Sequence, residues 1–312
     1  MATTTSKNYA AGHFDVSIDG SEITAYVKSV DGGMVKAASV EEPMGPYHIM
    51  NRHLATREID PIQIEMGVAG AKWVFKALED VIERRIHTRF SGQISHGDTN
   101  MKTQYQHDFE RAILTEVVLP KLEAKSKDPA MVKVKLQPEL VKFNLAEGPK
   151  FRALIQSKQK DWTCSHYLLQ IDGIEEARFV TSIEPMTIKI GVKAHQVGGF
   201  KLPHYVPTKL TMPKLVVTVP MRHAKPFMDW YNASVNKEGS EAPPDADYEK
   251  TGSIEFRNQQ HNKTLYTLDL SGLGPESVEL VKSDANQNAG KMLKMTIYIT
   301  KVKVVGSGEG LT

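Results

Sequence analysis

A single cysteine, Cys164, stands in 312 residues. No intrachain disulfide can staple the fold, and the chain suits a reducing compartment. Aromatic residues are scarce at 7%, which speaks against a surface built to stack nucleic-acid bases. Neither sign of charge dominates. The net charge is +2, with 22 Lys+Arg against 20 Asp+Glu in residues 1–160 and 17 against 17 in the remainder. A basic groove or a membrane-binding patch is therefore not the chain's main business. No apolar run approaches the ~18 residues of a membrane span, so no membrane insertion is expected. Residues 1–12 are small and polar and lack the apolar centre of a secretory signal. The triplets Asn232-Ala233-Ser234 and Asn262-Lys263-Thr264 then match a glycosylation pattern by chance.

The hydrophobic content of 40% and charged content of 24% are those of a globular chain. The length favours two domains of ordinary size, each able to bury its own core. The chain also reads as though written twice. Ile18-Asp19-Gly20 recurs as Ile171-Asp172-Gly173, and Ala71-Lys72 as Ala224-Lys225. Pro61-Ile62-Gln63-Ile64 is echoed by Pro213-Lys214-Leu215-Val216, and Gln106-His107 by Gln260-His261. The order is shared and the offset nearly constant, as a duplicated domain requires.

Each copy follows one programme. Phe14–Ile18 alternates apolar and polar residues, which gives a strand with one apolar face. Asp19-Gly20 is a turn, and Glu22–Lys28 can return as its hairpin partner. A long Gly/Pro-containing connection, 31–57, leads to a second alternating run, Ile62–Met66. From Ala71 to Arg85 the period changes, and Val74, Leu78, Val81 and Ile82 form one stripe of a helix. Strands near Arg111–Val118 and Val132–Leu136 follow. The second copy has a strand His166–Ile171, the Asp172-Gly173 turn and a connection Lys193–Met212. It continues with a strand Leu215–Val219 and a helix near Ala224–Val235. Strands Ile254–Arg257, Leu265–Leu270 and Met292–Val304 close it. Few consecutive strands are separated by helices, which disfavours a parallel sheet. The expected class is mainly β (α+β). Two tandem antiparallel β-sandwich or barrel domains each carry one flanking helix. They span residues 1–143 and 165–305, with a linker at 144–164, partly helical around Lys150–Lys158, and a flexible tail at 306–312. The loop Asn236–Asp247 is expected to be mobile. Each long connection exceeds the usual loop length, so it is expected to act on something outside its own domain.

No catalytic, cofactor or metal site emerges. His48 and His53 lack Asp, Glu or Cys at metal-site spacing, and His87, His96 and His107 are scattered. Cys164-Ser165-His166 sets a thiol beside an imidazole, but neighbours in a strand point to opposite faces, out of the reach a nucleophile and base need. Gly306–Gly310 loosely resembles a phosphate loop, yet no helix follows it. Glu41-Glu42 and Glu175-Glu176 read as solvated surface, and Lys133, Lys135, Lys294, Lys301 and Lys303 as an outer face or a guarded strand edge. A channel-facing role for those lysines is the alternative. Phe227, Trp230 and Tyr231 read as a core-facing helix stripe. Phe200, Leu202, Pro203, Tyr205 and Pro207 form an apolar, proline-stiffened segment. It either packs on its own domain or docks on a neighbouring subunit. Tyr47 and Ile49 occupy the matching segment of the first copy.

Gly199-Phe200-Lys201-Leu202-Pro203, then Lys209 and Leu215–Val219, is similar to the loop-to-strand passage of the tube domain of contractile phage tails, type VI secretion tubes and related injection systems. The aromatic helix Pro226–Trp230 is similar to that family's helix. The first copy departs from it: Gly45–Ile49 lacks the basic-Leu-Pro element, and a polar stretch, Ser95–Gln104, is inserted. The resemblance implies a structural, non-enzymatic chain without cofactors, found in a virion tail or cytoplasmic injection particle and assembled in the host cytoplasm. It implies hexameric rings, or trimers with pseudo-sixfold symmetry, stacked into a tube that meets sheath and baseplate proteins. DNA or an effector would pass through the lumen without specific binding. The rival reading is a soluble pair of tandem β-barrels that holds a small ligand or peptide.

Overall fold

Alternating Val, Ile and Leu generate long strands whose inward residues are buried to the last few per cent. Val132, Val134 and Leu136 lie inward on one strand, for example, with Lys133 exposed between them. The computed structural model describes residues 9–45, 50–98, 100–145, 162–196, 198, 202–235, 248–260, 262–281 and 290–305. The first copy contributes β1 (Tyr9–Ile18), β2 (Ser21–Glu22), β3 (Val27–Asp31), β4 (Val35–Pro43), β5 (Met50–Ile59) and β6 (Ile62–Gly67). After α1 (Lys72–Glu79) come β7 (Arg89–Asp98), β8 (Thr103–Val118), β9 (Leu122–Glu123), β10 (Met131–Gln137) and β11 (Leu140–Asn144). The second contributes β12 (Tyr167–Ile171), β13 (Ser182–Ile183), β14 (Thr187–His195), β15 (His204–Thr211) and β16 (Lys214–Pro220). After α2 (Lys225–Ser234) come β17 (Lys250–Arg257), β18 (Thr264–Leu280) and β19 (Met292–Val305).

Two antiparallel sheets carry the same strand order. One runs β1-β7-β8-β10-β6-β3 and the other β12-β17-β18-β19-β16-β13. The register agrees residue by residue. Ile18 faces Gly92 as Ile171 faces Gly252, and Val30 faces Ile64 as Ile183 faces Val217. Val117 and Ile64 flank Val134 as Val278 and Val217 flank Met295. The copies are thus offset by 153 residues up to the helix (171 − 18, 217 − 64) and by 161 in the closing strands (278 − 117, 295 − 134). β10 and β11 together, 131–144, occupy the place of the single strand β19, 292–305.

Even the irregularities are duplicated. Both the β7–β8 and β17–β18 ladders slip register, at Phe90/Gly92 and at Lys250/Gly252. The bulge puts Arg111 at φ 56° and Gly272 at φ 63°, a left-handed conformation that costs Arg more than Gly. A Cβ at Gly92 would meet the Ser17 carbonyl oxygen at 2.3 Å, and one at Gly252 the Gln170 carbonyl oxygen at 2.5 Å. Only glycine lets the adjacent strand approach so closely.

Several expectations need correction. Among the described residues the sheets do not close into barrels. The connections at 31–57 and 193–212 are largely β-hairpins, β4–β5 and β14–β15, rather than irregular loops. Gln106 lies in β8 whereas Gln260 lies in a turn, so that echo is not an equivalence. Ser95–Gln104 is not an insertion. From Gly92 to Phe109 is one residue shorter than from Gly252 to Leu270 (109 − 92 against 270 − 252), and the second copy instead gains residues between its helix and β17. The predicted first helix is α-helical only over Lys72–Glu79, followed by a π-turn at Asp80–Arg84 and left-handed Arg85. Most of the linker, the loop Asn236–Asp247 and the tail 306–312 lie outside the described residues.

Candidate assembly interface

The two sheets exchange edges. The base of the second copy's hairpin crosses to the first sheet, where Thr187, Ile188 and Lys189 pair with Val118, Val117 and Glu116 at the end of β8. In return Leu122 and Glu123 pair with Ile183 and Ser182, extending the second sheet beyond β13. Leu119 donates its N–H to the Met186 carbonyl at 2.9 Å. Strand addition of this kind satisfies edge groups that would otherwise be open to any passing strand. Ile188, Val117 and Leu119 are buried as a result.

The first copy's helix completes the joint. α1 lies against β19 of the other copy, and Phe75 places its ring 4.4 Å from that of Tyr266, which stacks at 4.1 Å on Phe256. Glu83 and Lys303 add an ion pair at 3.6 Å. α2 lies against β18 of its own copy, with Phe227 and Trp230 buried as the helical stripe predicts. Tyr231 is only half-buried. Buried residues of both copies form one continuous apolar cluster.

A carboxylate fastens the hairpin down. The Glu139 side chain is 4% exposed and sits 2.5 Å from Arg89 Nη1 and 2.9 Å from Arg111 Nε. The Tyr205 N–H donates to Glu139 at 3.1 Å, and Arg89 donates to the Tyr205 carbonyl at 2.9 Å. His204 Nδ1 lies 3.3 Å away. Burial pushes the Glu139 pKa up, but the Tyr205 N–H, Arg89 and His204 pull it down further, below the ordinary carboxylate value. Sequence reasoning missed this clamp. Its signal is a lone acid between apolar residues, Leu136 and Leu140.

The predicted interface residues fall as follows. Pro203 and Tyr205 are buried within the chain, and Leu202 and Pro207 are half-buried. Tyr205 therefore docks on the neighbouring copy of the same chain. Tyr47, Ile49 and Phe200 lie outside the described residues. The first hairpin behaves differently from the second. Every residue of β4 is exposed, as is nearly all of β5.

The remaining candidates carry no chemistry in this arrangement. Cys164 is buried with Sγ 3.7 Å from the Pro129 carbonyl, and burial pushes its thiol pKa up. His166 Nδ1 instead meets Thr163 Oγ1 at 2.5 Å. No group of three His, Cys, Asp or Glu suited to a metal occurs among the described residues. A groove of about 410 Å³ is open and lined by charged groups such as Lys28, Glu65 and Lys121, unlike an enclosed apolar ligand pocket. No helix among the described residues is long and apolar enough to cross a membrane.

Comparison with known proteins finds no match among curated proteins. Among solved structures, a sheath/tube terminator of the extracellular contractile injection system PVC is 18% identical, with TM-score 0.40, covering 45% of this chain and 99% of its own. A chain of the anti-feeding prophage baseplate is 14% identical, with TM-score 0.37, covering 45% and 93%. Hcp1 from Flavobacterium johnsoniae is 14% identical, with TM-score 0.26, covering 45% and 96%. Residues 164–303 match the sequence model of the T4-like virus tail tube protein gp19 family. That span holds the second sheet, its hairpin and its helix.

Proposed function

We propose that this chain is a ring-forming subunit of a contractile phage tail or phage-tail-like injection system, and that it supplies two tube-like units, 1–143 and 165–305, to each ring. The observation that carries the reading is the register-matched pair of sheets joined edge to edge. Only the second unit matches the tube family, but the first repeats its strand order, bulge and close-approach glycine. Because the units sit side by side through strand addition, three chains complete a pseudo-sixfold ring. In a ring of six chains one unit of each would stand outside, and the internal joint would have no counterpart in the ring.

Stacked rings enclose a channel for DNA or an effector. The near-neutral net charge of +2 suits a lumen that passes cargo without holding it. The exposed hairpin β4–β5, with Tyr47 and Ile49 between its strands, reaches to an adjacent ring, sheath or baseplate protein. Leu202 and Pro207 of the second hairpin, and Phe200 from the sequence between its strands, are assigned the same role. The role is structural and non-enzymatic, in a particle assembled in the host cytoplasm. Electron microscopy of the purified chain tests this. Rings or short tubes are expected to increase with protein concentration, and monomers at every concentration would refute the proposal.

A further inference from the structure

The internal joint uses one side of each copy and leaves the opposite sides over. Register identifies what those sides are. Val117 and Leu119, buried at 0% and 1% by the second copy's hairpin, correspond to Val278 and Leu280, and Leu280 is 55% exposed. Ile188, 1% exposed in the joint, corresponds to Val35 at the base of the first hairpin, which is 41% exposed. β17 pairs with β18 only as far as Leu273. Among the described residues the β18 edge at Ser277–Glu279 therefore has β19 on one side and no strand on the other.

A second surface follows the same rule. Tyr266 and Phe256, covered by Phe75 of the neighbouring copy, correspond to Tyr105 and His96, whose rings lie 5.3 Å apart. Phe143 stacks on Tyr105 at 6.1 Å and is 37% exposed. Tyr105 Oη also lies 4.0 Å from Met34 Sδ, so this platform adjoins the hairpin base. The residue corresponding to Phe75 is Met228 on α2, which is only half-buried. Exposed apolar surface that the same fold buries elsewhere in the same molecule points to a missing neighbour.

We propose that a second copy of this chain closes both surfaces by repeating the internal joint. Its Met34–Lys36 adds as a strand to Ser277–Glu279, with Val35 opposite Val278, while α2 lays Met228 over its Tyr105 and Phe143. The inference rests on the ring-subunit reading above and names the partner surface that reading requires. The contact is head-to-tail between unlike patches, the arrangement that generates closed rings or filaments.

Directly opposed residues on antiparallel strands bring their Cα atoms to about 4.5–5.5 Å, within disulfide reach. In the proposed register Lys36 faces Ser277, as Lys189 faces Glu116 inside the chain. Chains carrying Lys36→Cys are mixed with chains carrying Ser277→Cys and mildly oxidised. A covalent heterodimer at least about tenfold above a Lys36→Cys plus Thr208→Cys mixture is expected. Tyr105→Asp, with its melting curve checked, is expected to prevent ring assembly while the monomer stays folded. Ring-sized particles without the cross-link, or unimpaired assembly of folded Tyr105→Asp, would overturn the joint and leave the ring reading standing. Neither particles nor cross-link under any condition would overturn both.

Discussion

The two copies share a strand order but not a fate. The second copy's hairpin base is buried against its neighbour, with Ile188 at 1% exposure, whereas the first copy's hairpin is exposed over all of β4 and nearly all of β5. The second copy's aromatic stack is covered by α1, whereas Tyr105 is half-buried and Phe143 is 37% exposed. What differs is occupancy, and the register shows that each open surface corresponds to a filled one. A strand edge or an apolar face is thus a demand for a partner, which one copy meets within the chain.

The comparison can be broken most forcefully in the core. Phe227 and Val74 are equivalent helix positions, both at 0% exposure. Phe227→Ala is expected to cost about 3–5 kcal/mol in urea unfolding, and Val74→Ala roughly half as much, in line with the smaller volume removed. An exposed-site effect at either position, under about 0.5 kcal/mol, would show that the two helices are not packed equivalently.

The next test separates the filled joint from the open one. Glu139→Ala leaves Arg89 and Arg111 facing each other without their carboxylate, and is expected to cost about 2–3 kcal/mol. Thr300 holds the equivalent register position in β19, with its hydroxyl donating to the Gly272 carbonyl at 3.2 Å. Thr300→Ala is expected to cost less than about 0.5 kcal/mol. Equal losses in thermal melts would mean that Glu139 does not clamp the joint.

Acid should reach the same clamp. The folded pKa of Glu139 lies below its ordinary value, so its contribution is fully present above about pH 4.3. It is lost as pH falls through the folded pKa. Wild type should lose stability over that acid window more steeply than Glu139→Gln, as read from melting temperatures across pH. Parallel profiles would remove Glu139 as the source. The last test concerns symmetry alone. Gly92→Ala and Gly252→Ala each force a Cβ onto a neighbouring carbonyl and should cost about 1–3 kcal/mol apiece, nearly equally in chemical denaturation. A large inequality would mean that the two close approaches are not the same feature.

The strands that bury one face were legible because period-two alternation is the direct imprint of a half-buried sheet. The Asp19-Gly20 and Asp172-Gly173 turns were legible because each glycine needs a positive φ, 76° and 75°. The free hairpin was not, since a strand exposed on both faces, such as Val35–Pro43, carries no apolar period. β9 and β13 are two residues each, too short for any pattern, and their pairing is set by the neighbouring copy. The Glu139 clamp reaches Tyr205, 66 positions away, and only the folded chain brings them together.

Native mass measurement of the assembled particle tests most directly whether the two copies hold equivalent places in one ring. Three chains per ring is the expected result. Six chains per ring, with one unit of each chain outside the wall, would contradict the account.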